Sequence, residues 1–302
     1  MQSFSAGPTG ITPFVYGTTR LGDEKMAFEE RVKIARSAID AGLWLHTSDQ
    51  YGEALSVLKE AIAQSDASPS MIFKIGWESV DQIREQVVRQ LEAAGMERMA
   101  VGQLCLNGAL AEAFQHGDAS ALELNKLKEE GLVGQFVLEL WPWNSQVAID
   151  ALKGGHAHEL LDGFIFYLNP MQRFVLNQLW DLIAEHGVPV VAMRTVAGGS
   201  VLRARDVPGA APEYLQKRAV QLAPIFESSG CENWTEFCVR FSFGMPGVLA
   251  TVGSTNKPAN LAEFLSAAEK PVPLPVETVA AILELHRSWS EDHDRFAKPW
   301  SM

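Results

Sequence analysis

Polar and ionisable side chains interrupt two otherwise apolar stretches of the chain. The first stretch, WLHTSDQYG, is typical of a short buried strand that leads into a polar loop carrying His46 and Tyr51. The second, MIFKI, contains Lys74. Because an unpaired buried ammonium is very costly, Lys74 is expected to reach a pocket mouth and find partners there. A lysine beside a tyrosine stabilises phenolate, which predicts a lowered pKa for Tyr51 and proton transfer near neutral pH. A plain salt bridge between Lys74 and Asp49 is the alternative.

The elements around these groups repeat as strand, loop and helix along the whole chain. The strands are continuous apolar runs, as expected for a parallel sheet covered on both faces. Eight such units predict a single-domain α/β fold, a (β/α)8 TIM barrel over 1–302. An open doubly wound sheet is the alternative, but the chain lacks a glycine-rich phosphate loop. Two segments depart from the repeat: an insertion at about 200–231, and a C-terminal helix and tail at about 271–302.

The amino-acid composition limits the classes of partner that the protein is expected to bind. The 302 residues carry 25 Lys and Arg against 37 Asp and Glu, a net charge of −12 that disfavours nucleic acid and anionic membrane surfaces. Three cysteines without metal-ligand spacing predict neither disulfides nor a metal site. No secretory signal or membrane span is expected. We therefore expect a cytoplasmic protein with a small-molecule partner, and the oligomeric state stays open.

In a barrel, groups at the C-terminal ends of the strands face one pocket. This rule collects polar residues from all eight strand ends: Arg20, His46, Tyr51, Lys74, Asn107, Glu139, Asn169, Arg194 and the loop Gly253-Ser254-Thr255-Asn256-Lys257.

Several stretches resemble the aldo-keto reductases in order along the chain. They are GPTGITPFVYGTTRLG, WLHTSDQYGEALSVLKEAI, FKIG, EEGLVGQF, YLNPMQR, PVVAMRTVAGG and VGSTNKPANLAEFL. The resemblance implies the barrel and carbonyl reduction by hydride transfer from NADPH, with an Asp, Tyr, Lys and His set around the carbonyl oxygen.

Half of that catalytic set is replaced in this sequence. The family tyrosine and lysine fall on Tyr51 and Lys74, whereas the aspartate falls on His46 and the histidine on Asn107. Beside Lys74 a protonated His46 is disfavoured, so we expect a neutral ring that acts as a base, bonds to Tyr51 or is a satisfied core histidine. Asn107 can donate a hydrogen bond to a carbonyl oxygen but cannot supply a proton.

The resemblance also implies NADP(H) contacts, some of them altered. The Ser-Asn pair that holds the nicotinamide amide appears as Glu139-Leu140, and a glutamine of strand six appears as Ile165. Glu139 could accept a hydrogen bond from that amide. The remaining cofactor contacts are predicted to be Arg20, Arg194, Gly253, Ser254, Thr255, Asn256, Lys257, Asn260 and Glu263, several of them near a helix N-terminus suited to phosphate.

Three functions are compatible with this pattern. The first is an NADP-dependent oxidoreductase acting on a small carbonyl, sugar or aromatic substrate. The second is a non-redox lyase or isomerase in the same pocket, and the third is a catalytically silent, cofactor-sensing barrel. Aromatic residues that could wall the pocket are Trp77, Trp141, Trp143, Phe296 and Trp300.

Overall fold

Eight parallel strands form a closed barrel, as the sequence predicts. The computed structural model describes residues 7–76, 80–105, 119–154, 160–206, 212–269 and 271–296. The barrel strands are β1 (Phe14–Gly17), β2 (Trp44–Thr47), β3 (Met71–Ile75), β4 (Met99–Cys105), β5 (Val133–Glu139), β6 (Gly163–Asn169), β7 (Val190–Met193) and β8 (Val248–Gly253). A further two-residue strand, Gln172–Arg173, pairs antiparallel with β6 outside the barrel. Each strand pairs with the next, and β1 pairs with β8 through Val15 opposite Val252, which closes the sheet.

Helices surround the barrel. They are α1 (Phe28–Asp40), α2 (Ala54–Ala63), α3 (Val80–Ala94), α4 (Ala119–Glu129), α5 (Ser145–Gly154), α6 (Asn177–His186), α7 (Val201–Asp206), α8 (Glu213–Ser228), α9 (Trp234–Phe243), α10 (Pro258–Glu269) and α11 (Val276–Phe296). Short 3-10 turns lie at Thr19–Gly22 and Pro142–Asn144. The predicted insertion contains α7 and α8, and α11 follows the last barrel helix. In the described part of the chain, no helix combines the length and apolarity that a membrane crossing requires.

The strands bury both faces, which explains why their sequences are continuously apolar. Alternate side chains point into the barrel, where Val15, Trp44, Ile72, Val101, Val137, Ile165 and Val191 form an inner core. The intervening side chains, such as Phe73 and Phe136, pack against the helices in the outer core. The inner core fills the lower barrel and leaves the C-terminal ends of the strands to the polar residues described next.

Candidate functional site

The candidate site is the layer of side chains directly above the inner core. Each of its members follows an inward-facing apolar residue by two positions, because the side-chain period of a strand is two. Thus His46 follows Trp44, and Lys74 follows Ile72. By the same rule the layer contains Gln103 from β4, Glu139 from β5 and Tyr167 from β6.

Lys74 and Glu139 form an ion pair across this layer. Lys74 Nζ lies 3.1 Å from Glu139 Oε1 and 3.5 Å from Oε2, and the side chains are 18% and 3% exposed, respectively. The Cys105 thiol donates to Glu139 Oε2 at 3.0 Å. A salt bridge to Asp49, the alternative partner of Lys74, is wrong: Asp49 accepts instead from Arg89 at 3.1 Å. Glu139 is therefore the carboxylate that compensates Lys74.

The electrostatics of Tyr51 differ from the expectation. Burial raises the pKa of Tyr51, and this outweighs the lowering by the Lys74 charge and by a hydrogen bond with the Thr19 side chain. The prediction of a lowered phenol pKa is therefore wrong in its net sign. Burial lowers the pKa of Lys74, but the Glu139 carboxylate overcomes this and raises it above its usual range. At neutral pH the site holds a protonated phenol, an ammonium and a carboxylate.

The loop that carries Tyr51 is fixed by close backbone packing. A Cβ added at Gly22 would lie 1.9 Å from the Tyr51 carbonyl oxygen, so only glycine allows the β1 loop to approach. Arg31, 3% exposed, donates from Nη1 to Leu21 O at 2.9 Å and from Nη2 to Glu53 Oε2 at 2.6 Å. These bonds connect α1 to the loop after β1 and to the residue that precedes α2.

Two glutamines of α3 connect the tyrosine loop to the lysine strand. Gln90 accepts from Asp49 N at 3.1 Å and donates to Lys74 O at 2.8 Å. Gln86 accepts from Gly76 N at 2.9 Å and donates to Asp49 Oδ2 at 3.4 Å. The Asp49 side chain therefore binds Gln86 and Arg89 of α3 rather than compensating Lys74, and α3 connects the loop of Tyr51 to the strand of Lys74.

His46 is buried below Tyr51 and bonded elsewhere. Its Nε2 lies 2.6 Å from Gln103 Oε1, and burial followed by the Lys74 charge lowers its pKa to about 4. The ring is therefore neutral at physiological pH, as expected. The contact between His46 and Tyr51 joins ring centroids 6.3 Å apart rather than hydrogen-bonding atoms. The structure thus gives His46 a buried hydrogen-bond partner, Gln103, which agrees with the alternative of a satisfied core histidine rather than with a bond to Tyr51.

Aromatic side chains line one side of the mouth, beyond β5 and β6. Trp141 packs edge-on against Tyr167 at 4.8 Å between ring centroids, and Trp143, 57% exposed, stacks on Trp141 at 5.1 Å. The half-buried Arg194 places its guanidinium 5.0 Å from the centre of the Tyr167 ring. The charges of Arg194 and Lys74 both act on the Tyr167 phenol, whose pKa is raised by burial. Arg194 and this wall therefore lie beside the Lys74 site.

The loop after β8 lies next to the end of β1. The Ser254 hydroxyl accepts from Arg20 N at 3.0 Å, and the buried Tyr16 hydroxyl donates to Thr255 O at 2.6 Å. Lys257 N donates to Thr255 Oγ1 at 3.1 Å in the turn that precedes α10. The side chains of Arg20 and Lys257 are exposed.

The other predicted cofactor residues lie at the end of β8, in the loop after it and on α10. Gly253 is packed against Phe264, whose nearest ring atom would lie 2.5 Å from an added Cβ. Asn256 is half-buried and Asn260 is exposed on α10. Glu263 accepts from the Thr235 hydroxyl at 2.9 Å and borders an open groove of about 680 Å³ between α9 and α10. These residues come from β8, the loop after it and α10, whereas the Lys74 layer comes from β2 to β6.

Some predicted residues cannot be placed. Asn107, Trp77 and Trp300 lie outside the described residues, as does the side chain of Phe296. In the described ranges, no group of three or more His, Cys, Asp or Glu side chains could hold a metal ion.

Comparisons with solved structures give the same fold. An aldo-keto reductase from Bacillus halodurans, in its holo form, superposes with a TM-score of 0.71 at 20% identity, covering 94% of this chain and 96% of that one. A protein with an inferred assignment as a 2,5-diketo-D-gluconic acid reductase B gives 0.67 at 18% identity, covering 94% and 91%. A Pseudomonas aeruginosa protein, also with an inferred aldo-keto reductase assignment, gives 0.62 at 18% identity, covering 87% and 92%. At these identities the similarity shows the fold alone.

Sequence comparison identifies the family. No curated protein is significantly similar to this chain. The sequence model of the aldo/keto reductase family, whose members generally use NAD(P)H, matches residues 13–287. This match supports oxidoreductase activity. Because it extends over most of the 302 residues, the chain belongs to the aldo/keto reductase family.

Proposed function

We propose that the protein is an NADP(H)-dependent oxidoreductase that acts on a small carbonyl, sugar or aromatic substrate. The observation that supports this most is Lys74 in the barrel mouth, where its charge acts on the phenol of Tyr51. A tyrosine backed by an ammonium is suited to protonate a carbonyl oxygen as it gains negative charge. Substrate oxygen would therefore bind at Tyr51.

The residues present fit the phosphate end of a nicotinamide cofactor. The loop after β8 lies at the N-terminus of α10, where the helix dipole favours anions. Lys257 is exposed there and forms no ion pair with another described residue. We assign Lys257 and Asn256 to the phosphates of the cofactor, with Arg20 nearby.

The nicotinamide end is held differently from the pattern that the resemblance implies. Ile165 is buried and cannot hydrogen-bond the amide. Glu139 contacts Lys74 and Cys105, and its carboxylate keeps acceptor capacity for the N–H groups of the amide. We therefore propose that Glu139 borders the ring and that Arg194 lies near it.

The proton step uses the residues of the chain. NADP(H), when bound, supplies or accepts the hydride. Tyr51 is protonated at neutral pH because burial raises its pKa, so it begins a reduction as a proton donor. Loss of that proton leaves a phenolate, which the Lys74 ammonium stabilises. In the oxidation direction the same phenolate accepts the proton. A positioned acid of this kind contributes about 10²–10⁴-fold to the rate.

A proton-transfer enzyme without hydride chemistry is the second candidate. The observation that favours it is the polar set itself: Tyr51, Lys74 and Glu139 form an acid-base cluster where the amide contacts are reduced. Such a cluster could catalyse elimination or isomerisation of a carbonyl compound.

Titration with NADPH separates the candidates, because eight tryptophans make fluorescence quenching easy to follow. Binding of NADPH, followed by its oxidation with at least one compound from a panel of aldehydes, ketones and sugars, is the expected result. If neither NADPH nor NADH binds, the redox proposal is wrong. Turnover without cofactor that disappears in Lys74→Met would instead establish the second candidate.

A further inference from the structure

We propose that Glu139 is the positioning carboxylate of this site: it holds Lys74 charged and directed towards Tyr51 from β5, in the role left open by a neutral histidine on β2. The proposal deepens the proposed function and rests on it for the catalytic consequence. Its structural part, the dependence of the lysine on Glu139, can be tested separately.

The contacts of Glu139 support this role. One carboxylate oxygen lies 3.1 Å from Lys74 Nζ, and the other accepts the Cys105 thiol at 3.0 Å. The Glu139 side chain is 3% exposed, so water cannot replace Lys74 as its partner. Bonds to two neighbouring strands, β3 and β4, fix the carboxylate in one orientation. A carboxylate held in this way fixes the ammonium in turn.

The groups that face Lys74 leave Glu139 as its compensating charge. Five described side chains interact electrostatically with Lys74. They come from four strands and the tyrosine loop: Glu139, Tyr51, Cys105, His46 and Tyr167. Tyr51 and Tyr167 are protonated because burial raises their pKa values, and burial raises that of Cys105 as well. His46 is neutral. At neutral pH the anion of this set is therefore Glu139.

A carboxylate at position 46 on β2 could take the place of Glu139 on β5. In this chain His46 bonds Gln103 and carries no charge, and the Lys74 charge acts on its ring from the neighbouring strand. An aspartate placed at 46 would therefore lie close enough to compensate Lys74. The double variant Glu139→Gln/His46→Asp removes the carboxylate from β5 and places one on β2, so an anion remains beside Lys74.

The primary experiment measures the titration of Lys74 by NMR in protein with ¹⁵N-labelled lysine. Wild type should retain a charged Lys74 beyond the pH at which the exposed lysines titrate. Glu139→Gln keeps the shape and the acceptor but removes the charge, so Lys74 should titrate below the exposed lysines because burial is then unopposed. Glu139→Asp and the double variant Glu139→Gln/His46→Asp should restore the charge. Glu130→Gln, which removes a partly exposed partner of Arg84 on the outer surface, is the matched control.

The catalytic part is measured by the pH dependence of turnover. In Glu139→Gln, activity at about pH 9 should fall at least tenfold relative to about pH 6, while the wild-type profile stays flat there. The double variant should recover the wild-type profile.

If Glu139→Gln leaves both the Lys74 titration and the pH profile unchanged in an active enzyme, the proposal is overturned and the proposed function survives. If the titration shifts but wild type reduces no carbonyl, the proposed function fails and Glu139 keeps its assignment as partner of Lys74. Should Glu139→Gln fail to fold, Glu139→Asp and the double variant decide: loss of the Lys74 charge in both would refute the role.

Discussion

Removing the charge of Lys74 while leaving Glu139 in place is expected to destabilise the barrel strongly. Glu139 is 3% exposed, and Lys74 Nζ lies 3.1 Å from its carboxylate. At an effective dielectric constant of about 20, two unit charges at that distance attract by about 5 kcal/mol. Breaking buried pairs costs about 3–5 kcal/mol, and Lys74 is 18% exposed, which favours the lower part of that range.

Calorimetry can measure this loss. An unfolding entropy of about 2.1 cal/mol/K per residue gives about 0.6 kcal/mol/K for 302 residues. The lower part of that range, about 3–4 kcal/mol, predicts that Lys74→Met lowers Tm by about 5–6 °C. The double variant Lys74→Met/Glu139→Leu carries no buried charge there, so it should melt within about 2 °C of wild type.

The coupling between the two substitutions is the decisive quantity. If the double variant melts at the sum of the two single losses, the charges do not compensate each other and the reasoning is refuted. Arg84→Met is the control, since it breaks two ion pairs, with Glu123 and Glu130, in which Arg84 is 37% exposed. Its loss should be about 1 kcal/mol or less.

Three further predictions concern other parts of the site. Burial lowers the pKa of His46 from 6.5 to about 4, so as the pH falls through that window the unfolded chain takes up a proton that the folded chain does not. The free energy of unfolding should therefore fall by up to about 3 kcal/mol. NMR titration should show an imidazole that stays neutral above about pH 5, and normal titration near 6.5 would contradict this. Gly22→Ala places a Cβ 1.9 Å from Tyr51 O, so turnover should fall about 100-fold while NADPH affinity is unchanged; an unaffected rate would show that the loop is tolerant. Lys257→Met should weaken NADPH binding about tenfold by fluorescence titration, whereas Lys33→Met on the exposed face of α1 should leave it unchanged; equal NADPH affinities in the two variants would exclude a phosphate contact.

The fold could be predicted from the sequence because the barrel strands bury both faces. Continuous apolar runs such as those of β3 and β6 have no other common explanation at this number and spacing. The placement of Lys74 was also predictable, since a lysine inside MIFKI must reach the one polar end of the barrel. Both inferences need only the local sequence pattern, and neither requires knowing which residues of neighbouring strands lie opposite each other.

The partner of Lys74 was not predicted because it depends on register across three strands. Asp49 is close to Tyr51 in sequence, but its side chain turns outward to Arg89. The available signal was that Glu139 ends an apolar run two residues after Val137, so its carboxylate must face inward and needs a cation. The raised pKa of Tyr51 was missed for a related reason: the degree of burial of a loop side chain cannot be read from its neighbours in sequence.

The rate of a single turnover in Tyr51→Phe, with NADPH bound and saturating carbonyl substrate, tests the central claim most directly. The phenylalanine keeps the ring and removes only the hydroxyl beside Lys74. The account predicts hydride transfer at least about 100-fold slower than in wild type, with NADPH affinity unchanged. Hydride transfer at the wild-type rate would contradict it and remove Tyr51 from the reaction.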